Sequence, residues 1–205
     1  MGGLTHLLLN DVDACRIVNE ELYPLAERNK FPWPLAYAQF QRGWLLAQDG
    51  DHDEGIAQML QAADKAPVAV LQPIVLTLIA QEQLRAGRLD AALGTIDRAL
   101  DNIKKQHIHF HEGEITRLRG EILLAQSDDN AAEAEATFRL ALAVAAQQSC
   151  RPIELSAAVS LARLLRDNGR AAEARDLLAP VYGAFTEGFE RPDLQAAKTL
   201  LAELA

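Results

Sequence analysis

Three short segments of this chain carry the same turn, and their spacing restricts the fold more than any other feature. They read DGDHDEGIAQMLQAA from Asp49, AGRLDAALGTIDRAL from Ala86 and NGRAAEARDLLAPVY from Asn168. Gly50, Gly87 and Gly169 hold the same place in each, where a helix ends and glycine takes φ > 0 without a Cβ penalty. Gly50 and Gly87 are 37 residues apart, and Gly87 and Gly169 are 82 apart, or two periods of 41. A fourth turn is therefore expected near 128, where QSDDNAAEAEATFRLAL supplies a polar turn that opens a helix. Between turns, apolar residues recur every three or four positions, as in Leu76, Ile79, Ala80 and Leu84, and no run has period two. The chain is all-α, and a fixed period with two helices in each unit is the mark of a solenoid rather than a bundle.

Small residues recur in register with the turns. Gly43, Gly55, Met59, Ala62 and a terminating Pro67 come first, then Ala80, Ala92, Ile96 and Ala99. Gly120, Ala134, Phe138 and Ala141 follow, and then Ala162, Ala174 and Leu178, with Val181 where a last small residue belongs. Small residues let two helix backbones approach, and a larger one fills the gap toward the next pair. This pattern resembles the tetratricopeptide repeat. The resemblance implies a right-handed superhelical solenoid of antiparallel helix pairs in one domain, 1–205. It has a half repeat over 5–30, repeats over 32–67, 73–106, 110–148 and 152–185, and a capping helix over 193–205. Leu7 to Arg28 is expected to be one helix with no helix A before it, with Pro32 and Pro34 restarting the chain.

Periods of 37 to 42 and the stretches FPWPLAYAQFQRGWLLAQDGDHDEGIAQM, LRGEILLAQ and ATFRLALAVAAQQ sharpen the likeness, most of all Leu161 to Phe189. These look like the MalT-like C-terminal repeat region of large bacterial signalling ATPases, which are fused to adenylate cyclase or helix-turn-helix output domains. The resemblance implies a cytoplasmic sensor and interaction domain. Because no GxxxxGK[ST] or GxGxxG occurs, the ATPase part of such a protein is not expected in this chain, which reads as a severed piece or as one that packs on another chain.

Composition narrows the function classes. With 29 acidic and 20 basic residues the net charge is -9, which disfavours the broad phosphate contacts that nucleic-acid binding needs. The longest apolar run, Val68 to Ala80, is broken by Gln72, Pro73 and Thr77 and is too short to span a bilayer. The start, MGGLTHLLLNDVD, lacks a basic n-region, so neither membrane nor export is expected. Cys15 and Cys150 form no metal or disulfide pattern, no nucleophile motif occurs, and no cofactor is expected. The tract His107, His109, His111 puts His107 and His111 one turn apart if helical, but a transition metal needs three or four convergent ligands. Otherwise these histidines line a loop-to-helix junction. Asp128, Asp129, Glu133 and Glu135 read as solvated turn or helix residues.

By carry-over from tetratricopeptide geometry, the A helices line a concave groove with Tyr37, Phe40, Gln41, Trp44, Gln48, Gln81 and Arg85, then Glu114, Arg117, Glu121, Ser156, Arg163 and Arg166. Aromatic and arginine side chains supply most binding hot spots, so a peptide segment, or the parent protein's own ATPase or output domains, is the implied partner. Phe40 and Trp44 serve equally well as fillers between neighbouring helices. At the fifth and ninth positions they also stand where a chaperone-tail carboxylate clamp would need Lys and Asn. Trp44→Ala or Arg117→Ala is expected to weaken binding without unfolding the chain. Two other readings stand beside this one: a structural module that homodimerises through the uncovered first helix, and a metal-dependent enzyme resting on the histidine tract alone.

Overall fold

The computed structural model describes residues 2–65, 71–107 and 109–205. Among these it is all-α, with eleven helices and no strand. It forms two compact units, residues 1–95 and 96–205. In the first lie α1 (Gly2–Leu8), α2 (Val12–Arg28), α3 (Pro32–Gln48), α4 (His52–Lys65), α5 (Gln72–Arg85) and the start of α6 (Leu89–Gln106). The second holds the rest of α6, α7 (Glu112–Gln126), α8 (Ala131–Gln147), α9 (Arg151–Asp167), α10 (Ala171–Gly183) and α11 (Pro192–Glu203). Pro67, expected to end the first helix pair, lies outside the described residues, as does position 108 of the histidine tract.

Helix starts and stops follow from a small set of local rules. Proline sits in the first turn of α3, α5, α9 and α11, where its missing N–H has no helical partner to lose. Gly50, Gly87 and Gly169 take φ of 98°, 70° and 76°. At each, two hydrogen bonds close the preceding helix: Gly50 N–H donates to Ala47 and Asp51 N–H to Leu46, with equivalent pairs at the other two glycines. Ser149 and Lys30 make the same closure at φ of 54° and 52° without being glycine. The turn expected near 128 is present but built differently. Ser127 is extended and caps a short 3-10 turn, Asp128–Asn130, and the Asn130 amide donates to the Leu123 carbonyl at 3.0 Å. Gly120 and Ala134 are 14 residues apart where Gly43 and Gly55, Ala80 and Ala92, and Ala162 and Ala174 are 12 apart, and this turn accounts for the two extra residues and for the missing glycine.

The N-terminal helix departs from the expectation of one piece over Leu7 to Arg28. Asn10 takes φ of 54° and ends α1, and Asp11 caps α2 by accepting from Ala14 N–H at 3.1 Å. The short α1 thus supplies a partner for α2, and its Leu7 is buried in the core with Cys15, Phe40, Trp44 and Met59. In the second unit α11 packs on α9 and α10 through buried Leu194, Ala197 and Leu200.

The small residues do what close packing requires. A Cβ built on Gly43 would stand 2.7 Å from the Gly55 carbonyl oxygen, and one on Gly55 would stand 2.6 Å from that of Gly43. In the second unit Gly120 faces the Phe138 ring, 2.5 Å from where a Cβ would be. Ala92, Ala134, Ala162 and Ala174 are fully buried, whereas Val181, the departure in the fourth pair, is only half-buried. Gly94, on the exposed face of α6, has open space around its would-be Cβ. Gly55→Ala should therefore lower stability by about 1–3 kcal/mol through overpacking. Gly94→Ala should raise it by about 1 kcal/mol through helix propensity. Urea denaturation followed by circular dichroism measures both, and a Gly55→Ala protein as stable as wild type would refute the backbone contact.

Candidate functional site

In the first unit, polar side chains from α3 and α5 converge on a buried carboxylate. Gln48 Nε2 donates to Glu82 Oε1 at 2.8 Å, and Arg85 Nη1 donates to the same oxygen at 2.5 Å. The Glu82 side chain has no exposed surface, and its other oxygen, Oε2, is buried without a hydrogen-bond partner. Burial pushes its carboxyl above the usual range, against the opposing pull of Arg85, the Gln48 hydrogen bond and the His52 ring. Arg85 is 42% exposed and both of its recorded hydrogen bonds in this cluster come from Nη1. Gln81 beside it is half-buried.

The aromatic members of the expected groove divide. Trp44 and Phe40 are 1% and 4% exposed and belong to the core, which decides in favour of the filler role. Gln41 is buried too: it accepts from Asn19 Nδ2 at 3.2 Å and donates to the Tyr37 hydroxyl at 3.3 Å, tying α2 to α3. Gln41 and Trp44 line no open groove, which corrects that part of the expectation, whereas Phe40, though buried, reaches the cavity beside Tyr37. Tyr37 is half-buried and stacks on Trp33, ring centroids 5.8 Å apart and planes 5° from parallel. Trp33, which the sequence reading passed over, is 47% exposed. Its spacing of four from Tyr37 was the available signal. The pair borders a cavity of about 50 Å³ whose walls are almost all carbon, from Leu4 and Leu7 on α1, Phe40 on α3, Ala63 on α4 and Val75 on α5.

In the second unit Glu114, Arg117 and Glu121 do come together, on one face of α7. Arg117 holds Glu114 in a fork, Nε to Oε2 at 2.8 Å and Nη2 to Oε1 at 2.7 Å. Its Nη1 donates to Glu121 and, at 3.2 Å, to Ser160 on α9, whose hydroxyl donates to Glu121 at 3.1 Å. Arg117 is 12% exposed and its donors are committed to its own neighbours. Burial opposes ionisation of Glu114, but the Arg117 charge and hydrogen bonds outweigh it and hold the carboxyl below the usual range. Ser160 is a second residue the sequence reading missed. Arg166 is engaged with Glu203 at 2.5 Å and Asp167 at 2.9 Å. Ser156 turns its hydroxyl back to the Pro152 carbonyl. Arg163 is exposed.

None of the three histidines of the tract lies in a helix. His107 takes φ of 55° after the last residue of α6, and His111 is the residue before α7, so the two do not share a helix face. His109 pairs with Glu112 at 2.8 Å. Burial holds the His111 ring below its ordinary range, with Glu114 pulling the other way. Among the described residues no group of three or more His, Cys, Asp or Glu side chains is placed to hold a metal ion. No described helix is long and apolar enough to cross a membrane. Cys15 and Cys150 are unbonded. Glu135 lies in a ring of ion pairs with Arg139, Glu173 and Arg170 across α8 and α10, and Glu133 pairs with Arg119 at 3.0 Å.

No family model matches this chain, and no curated protein sequence matches it. Solved structures do. A kinesin light chain-type protein of nearly identical tetratricopeptide-like repeats from Podosopora anserina superposes with a TM-score of 0.64 at 21% identity, covering 84% of this chain and 86% of its own. BtubC from P. vanneervenii superposes with a TM-score of 0.69 at 16% identity, covering 96% and 89%. At this level of identity the likeness shows the fold: an all-α solenoid of tetratricopeptide-like helix pairs.

Two charge substitutions test the site geometry. Arg117→Ala strands a buried Glu114 and should cost about 3–5 kcal/mol. It should therefore behave as a folding variant, in place of the binding variant expected from sequence. Arg163→Ala should stay within about 0.5 kcal/mol of wild type. The two carboxylates have opposite pH signatures. The depressed Glu114 stabilises above its ordinary range, and that contribution is lost as pH falls through its lowered value. The raised Glu82 favours the fold when protonated, and that contribution is lost as pH rises through its raised value. Glu82→Gln should therefore raise the denaturation midpoint at pH 7 and flatten its rise on mild acidification; an unchanged midpoint would count against a charged Glu82 at neutral pH.

Proposed function

We propose that this chain is a non-catalytic protein-interaction module that takes a peptide segment on the A-helix face of its first unit. The observation that carries the reading is the Trp33–Tyr37 platform beside the carbon-walled cavity between α1, α3, α4 and α5. Five of the chain's eleven aromatic residues fall between Phe31 and Trp44, so this unit concentrates the side chains that give the most contact area per rotamer. A cavity of about 50 Å³ suits one apolar side chain of a bound segment. Arg85, half-exposed and held by Glu82, offers a guanidinium to a polar group of the same partner.

In the second unit Arg163 is the open position, while Glu114, Arg117, Glu121 and Arg166 are spent on internal pairs. The likeness of the stretch Leu161 to Phe189 to the MalT-like repeat region is what suggests a cytoplasmic bacterial signalling or transcription-regulatory parent, with its ATPase or output domain as partner. Occupancy of the face would then shift the parent between closed and open states.

Selection of random peptides on the immobilised chain tests the reading. Enriched peptides should share one apolar anchor, and Trp33→Ala should weaken their binding about tenfold while Arg98→Ala, on the exposed face of α6, leaves it unchanged. Enrichment of no common anchor, or equal binding by Trp33→Ala, would remove the platform from the site.

A further inference from the structure

Of the nine large apolar side chains most exposed among the described residues, six lie between Leu8 and Trp33. The arrangement on α2 is the informative one. Its packed face carries Cys15, Asn19 and Ala26. At 100° per residue the opposite face carries Asp13, Ile17, Glu20, Glu21, Leu25 and Arg28, with Pro24 between them, and all are exposed. Ile17 is 62% and Leu25 49% exposed. The outer helix face of a solenoid must be polar to stay soluble alone, and this one sets a stripe of Ile17, Pro24 and Leu25 among its charges.

The charges on the stripe indicate what covers it. Asp13 lies at its N-terminal end and Arg28 at its C-terminal end, and neither pairs with another side chain among the described residues. Two such helices laid antiparallel about a two-fold axis place residue i against the residue for which the two numbers sum to about 41 or 42. Asp13 then meets the partner copy's Arg28, Ile17 meets its Pro24 and Leu25, and the relation holds again with the copies exchanged. An isologous interface must be self-complementary, and this sequence of acid, apolar, apolar, base is. Beyond the helix, exposed Leu8 and Leu9 flank one end and exposed Phe31 the other, in the same reciprocal order. The exception is at the axis, where Glu20 and Glu21 of the two copies face each other and weaken the pair.

We propose that the outer face of α2 is a two-fold interface with a second copy of this chain. The proposal rests on α2 and does not depend on the peptide site. Sedimentation equilibrium of the full chain over a range of concentrations should show a monomer–dimer equilibrium. Asp13→Arg and Arg28→Asp should each be monomeric at concentrations where wild type is dimeric, because each puts like charges together. An equimolar mixture of the two variants should recover the dimer, since the two substituted positions then oppose each other with their charges exchanged and the remaining wild-type pair is intact. Glu21→Gln should tighten association about two- to fivefold by removing repulsion at the axis. Circular dichroism identical to wild type shows that the single variants fold. A wild type that stays monomeric throughout, or a mixture that stays monomeric while wild type dimerises, would overturn the proposal; the first result would leave the stripe to a different protein.

Discussion

The closest constraint in the first unit is the contact of two backbones, Gly43 on α3 against Gly55 on α4, at a distance that leaves no room for a methyl group on either. With so few aromatic residues in the chain, most helix pairs cannot be held apart by large rings and filled around them. They close instead on alanine and glycine, and a single larger residue, Met59, Ile96, Phe138 or Leu178, fills what remains. Close crossing of this kind fixes where each helix must end, and so the left-handed turn residues at Gly50, Gly87 and Gly169 are consequences of it. The turn around Asp128 shows that a glycine is one solution among several: extended Ser127 and a 3-10 turn reach the same helix start with more residues.

This explains why the fold was legible in the sequence. Turn glycines and small crossing residues are required one by one by backbone geometry, so they recur with a period that needs no structure to see. The failures came where geometry depends on which side chain wins a shared space. α1 is only seven residues long, and its end at Asn10 uses a left-handed residue that the polar run LNDVD does not distinguish from an ordinary helix surface. Likewise Phe40, Gln41 and Trp44 occupy helix-A positions that line a groove in the resembling family. Here α1 and α2 cover that part of α3, with Asn19 bonded to Gln41 and Leu7 packed with Phe40 and Trp44.

Charge pairing was the least legible part of the candidate site. Glu114, Arg117 and Glu121 are spaced at i, i+3 and i+7, which identifies a shared face but does not say whether it opens to a partner or closes on itself. Ser160, 43 positions beyond Arg117, settles that by giving Arg117 and Glu121 a common neighbour on α9. Glu82 is the opposite case. It sits next to Gln81 in sequence, on a helix whose pattern suggests only an apolar face, and its burial follows from Gln48 and Arg85 closing over one of its oxygens.

These two carboxylate clusters divide the labour of the A helices. The cluster on α7 and α9 is largely self-satisfied: every nitrogen of Arg117 donates to a neighbour, which gives rigidity and little residual affinity for an added ligand. On α3 and α5 the balance is incomplete, with one oxygen of Glu82 unpartnered and the Arg85 side chain 42% exposed. Incomplete satisfaction of buried polar groups lowers stability, and a fold selected for stability alone would have an apolar residue at 82. The same unit leaves Trp33 exposed and a carbon-walled cavity unfilled a few helical turns away. The proposed peptide site rests on these three departures from good packing in one unit, set against near-complete satisfaction on α7 and α9, because affinity for a partner comes from contacts the free protein has left unmade.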